Sequence, residues 1–169
     1  IPVSADGSLD LELVRSRIKP DDPHFAITRL LVLENTHNGK ALGLDYMAQA
    51  AEFAGRHGLS LHLDGARVFN AATELGVEVK EIVRHVDSVS VCFSKGLGAP
   101  VGSLLCGSGP FIAAAKRWRK MAGGGLRQAG VLAAAIDYAL DHHVDRLRYD
   151  HAHAKRMAQA LSEIDAITP

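Results

Sequence analysis

Cysteine is nearly absent from this sequence, which holds only Cys92 and Cys106 among 169 residues. Two thiols are too few for a disulfide-stapled secreted scaffold. Both stand in apolar runs, which predicts reduced cysteines on buried strands. Excess charge of either sign is also missing, because 19 Lys and Arg balance 19 Asp and Glu. Neutrality does not advertise a nucleic-acid or acidic-membrane partner, and the basic run Lys116 to Lys120 reads as a solvated helix face. No apolar run is long enough to span a bilayer. A signal peptide, internal repeats and low-complexity tracts are lacking too. The chain opens on Ile1-Pro2-Val3 and closes on Thr168-Pro169 just after a helical pattern, so it is expected to be an excerpt of a longer protein. What is present is ordinary globular composition, 47% hydrophobic and 22% charged, at a length that suits one core.

Along the chain, strand and helix patterns alternate. A short helical pattern covers residues 9–18, before Pro20-Asp21-Asp22-Pro23. Residues 29–34 read as a buried strand that runs into the loop Asn35-Thr36-His37-Asn38-Gly39. Leu44, Met47, Ala48, Ala51 and Ala54 have helical spacing, with Gly58 as a stop. Strands are predicted over 59–64, 87–93 and 101–106, and a helix over 77–84. From Ser108 onward three helices are expected, around residues 111–115, 131–140 and 147–161. This order predicts an α/β layer fold with a mostly parallel sheet flanked by helices. Ligands in such folds gather at the carboxyl ends of strands. Asn35/Asn38, Asp64 and Lys95 all leave strand ends.

Asp64 ends an apolar strand and opens Asp64-Gly65-Ala66-Arg67. A carboxylate there needs a partner. A protonated pyridine nitrogen would serve, and so would a turn cap or Arg67. Lys95 follows a strand and precedes Gly96-Leu97-Gly98-Ala99-Pro100. Partial desolvation makes such an amine nucleophilic toward aldehydes. The bland alternative is a surface lysine in a loop. Together, an amine and an acid from separate strands match a pyridoxal-phosphate site.

Four segments then carry a family resemblance. They are Leu33-Glu34-Asn35-Thr36-His37-Asn38-Gly39-Lys40, Leu61-His62-Leu63-Asp64-Gly65-Ala66-Arg67, Ser94-Lys95-Gly96-Leu97-Gly98-Ala99-Pro100-Val101-Gly102-Ser103, and Arg117-Trp118-Arg119-Lys120-Met121 running into Gly123 to Gly130. In content and order they resemble the L-threonine aldolase family of fold-type I pyridoxal-phosphate enzymes. The resemblance implies that 1–169 is part of the large cofactor-binding domain, incomplete at both ends. It implies Lys95 as the Schiff-base lysine and Asp64 as partner of the ring nitrogen. Arg67 would grip the substrate carboxylate, which its planar fork suits. His24 would stand near the substrate hydroxyl.

Arg127, after three glycines near a helix start, is expected near the cofactor phosphate, in its own or a neighbouring subunit. Asn35, His37 and Asn38 all have a claim on the ring oxygen, and Asn38 is carried forward as the cofactor-binding candidate. The expected reaction is cleavage of L-threonine or L-allo-threonine to glycine and acetaldehyde. The expected assembly is a cytoplasmic homodimer or homotetramer. A metal site is not expected, since His142-His143 and His151 with His153 do not share helix faces. The resemblance places the phosphate cradle, the ring-stacking residue and a further arginine outside 1–169, so the isolated segment is expected to bind pyridoxal phosphate poorly and to be inactive. The rivals are another fold-type I lyase, a silent scaffold of the same fold, and a nucleotide-binding domain. The last lacks a dinucleotide fingerprint around Gly96-Leu97-Gly98.

Overall fold

A computed structural model describes residues 1–167. Four strands form one sheet in the order β1 (Leu30–Glu34), β2 (Ser60–Gly65), β3 (Ser88–Cys92), β4 (Ser103–Gly107). The first three are parallel, and β4 runs antiparallel to β3. Crossovers between the parallel strands are helical: α2 (Leu44–Arg56) after β1, then α3 (Val68–Leu75) and α4 (Val79–Val83) after β2. A short α1 (Leu11–Arg17) precedes the sheet. The helices α5 (Gly109–Met121), α6 (Gly130–His142) and α7 (Leu147–Ser162) follow it. No helix among the described residues is long and apolar enough to cross a membrane.

Strand alternation decides where the core lies. Leu31 and Leu33, Leu61 and Leu63, Val89 and Val91 all point to one face and are buried. Met47, Ala50, Phe53 and Ala54 of α2, Val68, Ala71 and Ala72 of α3, and Ile82 of α4 belong to the same core cluster. Burying each large aliphatic side chain stabilises the fold by roughly 1.5–3 kcal/mol. The opposite face carries Leu30, Val32, Glu34, His62, Asp64, Ser90 and Cys92, and much of it is open. Parallel sheets ordinarily cover both faces. In this chain one face is covered by helices and the other holds the polar groups.

Two expectations change. The cysteines are free thiols but not core residues: Cys92 is half-exposed and Cys106 exposed. Cys92 points to the open face, and β4 is an edge strand with all five residues exposed, so an apolar run did not guarantee burial. Helix α3 adds a turn-to-helix step directly after Asp64-Gly65-Ala66-Arg67 that the expected elements do not include. Its Val68, Ala71 and Ala72 nevertheless have helical spacing, and Gly76 ends it in the left-handed conformation that glycine favours (φ 66°).

Candidate functional site

Asp64 is the penultimate residue of β2 and lies beside Glu34 on β1 and Ser90 on β3. All three point to the open face. The Ala66 N–H donates to one carboxylate oxygen of Asp64 at 3.1 Å, so the carboxylate does cap its own turn. Arg67 is not its ion-pair partner. Among the described residues no Lys, Arg or His nitrogen lies within salt-bridge distance of Asp64. The acid therefore retains acceptor capacity toward a cationic ligand. Gly65 allows the close packing behind it, since a Cβ there would stand 2.8 Å from Val89 Cγ2 and 3.0 Å from the Ser90 carbonyl.

Lys95 leaves the same end of the sheet, three residues beyond β3. Its turn is tightly held. The Gly98 N–H donates to the Lys95 carbonyl at 2.8 Å, and the Ala99 N–H to the Phe93 carbonyl at 3.0 Å. Phe93, Leu97 and Ala99 are buried. His143, at the end of α6, donates from Nδ1 to the Leu97 carbonyl at 2.6 Å. The turn is thus anchored to the helical layer while the lysine side chain is exposed.

Arg67 stands at the N-cap of α3, directly after β2. Cys92 is the last residue of β3, next to the Lys95 turn. Its thiol is drawn below the usual thiol range, first by the Ser94 hydroxyl, whose Oγ is 3.3 Å from its sulfur, and further by the charges of Lys95 and Arg67. Cys92 lies one step beyond Ser90, the register partner of Asp64, on the same strand face.

The loop after β1 separates its three candidates. Asn35 is completely buried, and its amide is spent on Leu42: Oδ1 accepts from the Leu42 N–H at 3.1 Å and Nδ2 donates to the Leu42 carbonyl at 3.3 Å. Asn38 is exposed with φ 46°. His37 lines a cavity of about 290 Å³ together with Asp64, Glu34, Val32, Gly7 and Leu9. Its Nδ1 lies 2.8 Å from Glu34 Oε2, and its Nε2 lies 3.3 Å from Asn38 Nδ2. Glu34 is a site residue that the sequence motifs do not single out; strand alternation and parallel pairing set it beside Asp64.

Two candidates stand apart. His24 is 86% exposed and bonds Asp22 at 2.7 Å, in the loop that leads into the start of β1. It does not line the cavity beside Asp64. Arg127 is exposed in the loop between α5 and α6, three residues before α6 begins. The glycines ahead of it belong to that loop, not to the helix start.

The arrangement offers an acid with spare acceptor capacity, an amine on an anchored turn, and a guanidinium at a helix mouth. That donor set fits a flat, aldehyde-bearing, cationic heterocycle with an anionic substrate.

Comparison with known proteins agrees in kind. The profile of the family described as beta-eliminating lyase matches residues 1–169, and enzymes of this family depend on pyridoxal phosphate. A low specificity L-threonine aldolase from Escherichia coli K12 is 55% identical over 166 residues, covering 98% of this chain and 50% of that protein. A low-specificity L-threonine aldolase from Arabidopsis thaliana is 48% identical over 169 residues, 96% of this chain and 47% of its own. Among solved structures, a putative aromatic amino acid beta-eliminating lyase/threonine aldolase from Exiguobacterium superposes with TM-score 0.81 at 28% identity, over 98% of this chain and 46% of that one. A putative L-allo-threonine aldolase from Listeria monocytogenes gives TM-score 0.82 at 24% identity, over 98% and 45%, and shares the fold. The chain spans about half the length of the curated relatives it matches, and over that span it belongs to the beta-eliminating lyase family of fold-type I pyridoxal-phosphate enzymes.

Proposed function

We propose that the complete protein is a pyridoxal-phosphate aldolase that cleaves L-threonine or L-allo-threonine to glycine and acetaldehyde. In this reading residues 1–169 are part of its large domain, and the remainder supplies the phosphate cradle, the ring-stacking group and a second substrate arginine. One observation carries the reading most directly. Asp64 and Lys95 leave the same end of adjacent parallel strands, with Arg67 at the mouth of the helix that follows the first of them.

When bound, the cofactor supplies an electron sink for the pair released as the substrate Cα–Cβ bond breaks. Asp64 holds the ring nitrogen protonated through its spare carboxylate oxygen, which keeps that sink effective. Lys95 would hold the cofactor through its amine and would compete with the glycine product for it. Arg67 receives the substrate carboxylate and so fixes which bond at Cα is presented for cleavage. His24, directly or through a water it holds, takes the proton from the β-hydroxyl. Arg127 serves the cofactor phosphate, in its own or a neighbouring subunit, and Asn38 the cofactor ring. We place the enzyme in the cytoplasm as a homodimer or homotetramer.

The test uses the full-length protein with pyridoxal phosphate. Borohydride should fix the cofactor to the peptide that contains Lys95, and Lys95→Ala should lose both that adduct and the visible band. Threonine should yield glycine and acetaldehyde. An adduct on a different lysine overturns the site. Product from tyrosine or phenylserine, with none from threonine, replaces the substrate assignment with that of another lyase of this fold.

A further inference from the structure

Glu34 and His37 remain outside this scheme, yet they share a cavity with Asp64. The loop that bears His37 does not need its side chain to hold shape. The backbones of His37 and Lys40 exchange two hydrogen bonds, at 2.9 and 2.8 Å. The Asn35 N–H donates to the Asp64 carbonyl at 3.0 Å, and the Asn35 side chain clamps Leu42 at both ends. The imidazole is thus spare to the fold. It is also ordered by a specific partner, because Nδ1 lies 2.8 Å from the Glu34 carboxylate.

A carboxylate accepts, so Nδ1 carries the proton and Nε2 presents a lone pair. That lone pair accepts from one N–H of the Asn38 amide, whose Nδ2 lies 3.3 Å away, which leaves the second N–H and the carbonyl of Asn38 free. The line Glu34, His37, Asn38 starts on β1 beside Asp64 and ends at the candidate for the cofactor ring. Both flanking side chains are only partly exposed, 39% for Glu34 and 26% for His37.

We infer that Glu34 and His37 act as one positioning unit for the cofactor, with Glu34 acting through His37. Glu34 fixes the imidazole plane and tautomer. His37 then closes the side of the cavity next to Asp64 and orients the Asn38 amide. The inference rests on the pyridoxal-phosphate reading above. It adds two residues that serve the cofactor without taking part in bond cleavage.

The experiment measures pyridoxal phosphate dissociation constants in the full-length protein. The variants are His37→Leu, Glu34→Leu, their combination, and Glu34→Gln. A unit predicts that each leucine variant weakens binding roughly tenfold and that the double variant is no worse than either single one. Glu34→Gln should stay within about threefold of wild type, because its amide oxygen still accepts from Nδ1–H. The melting temperature of the cofactor-free protein should be unmoved by any of them, which a purely structural role would not allow. If His37→Leu does not fold, Glu34→Leu against Glu34→Gln carries the test alone. Wild-type affinity in the leucine variants, independent multiplication of the two losses, or Glu34→Gln as damaging as Glu34→Leu overturns the unit. Wild-type protein without a lysine-linked band overturns the cofactor reading, and this inference with it.

Discussion

Buried Asn35 and half-exposed Cys92 show how much a single residue decides here. Asn35 closes the loop that the His37–Lys40 bridge begins, holding Leu42 at both backbone groups, and it does so without exposure to water. Asn35→Ala leaves the Leu42 N–H and carbonyl without that partner. A buried group left unpaired costs about 1–3 kcal/mol, so the urea midpoint should fall clearly, and a midpoint at the wild-type value would contradict the clamp. Cys92 sits where the Ser94 hydroxyl, Lys95 and Arg67 favour its thiolate. A lowered thiol pKa means a larger reactive fraction near neutral pH, with the gain over an ordinary thiol shrinking as pH rises past the usual thiol range. Cys92 should therefore react with iodoacetamide faster than Cys106. Ser94→Ala should slow Cys92 labelling by roughly two- to fivefold. Equal rates at the two cysteines, followed by peptide mass spectrometry, would show that the hydroxyl does not govern this thiol.

Elements hold the site by packing as much as by hydrogen bonds. The Lys95 turn lies against the start of α7 and against α3: a Cβ on Gly96 would stand 2.9 Å from Leu147 Cδ2 and 3.3 Å from Asn70 Oδ1. Leu147 is fully buried, so the methyl group has little room. Gly96→Ala is expected to cost about 1–3 kcal/mol and to displace the lysine turn. A lower melting temperature together with weaker cofactor binding is the expected pair of results, and unchanged values of both would mean that the turn is looser than its contacts indicate. The strands were legible at this scale because apolar alternation recurs every second residue. Helix α3 was not, since its signal begins inside a segment that already reads as a chemical motif. The edge strand β4 was legible as a strand but not as an exposed one: composition reports how apolar a segment is, not whether another element arrives to cover it.

At the scale of the whole molecule, large apolar side chains are exposed on several elements. Leu30 and Val32 on the open sheet face, Leu104 and Leu105 on β4, and Trp118, Met121, Val131 and Met157 on the last helices are all exposed, Val131 by 80%. Isolated exposed apolar residues are ordinary, whereas contiguous apolar surface marks a face that another body covers. The 169-residue chain on its own should bind an apolar dye such as anilinonaphthalene sulfonate and self-associate in sedimentation. A monomer without dye binding would show that these side chains are tolerated in water. The same chain should bind pyridoxal phosphate far more weakly than the full-length protein.

Sequence alone determined the alternation of strands and helices, the end of the sheet at which polar groups collect, and the acid, amine and guanidinium offered there. Those follow from local periodicity and from residue types that carry their chemistry wherever they stand. Only the tertiary structure decided that Asn35 is spent inside the fold while His37 meets Glu34 beside Asp64, that Arg67 leaves the acid unpaired, and that both cysteines see solvent. Each of those outcomes depends on which segments meet across the sheet. Strand register and layer packing set such meetings, and neither is written in the neighbourhood of any one residue.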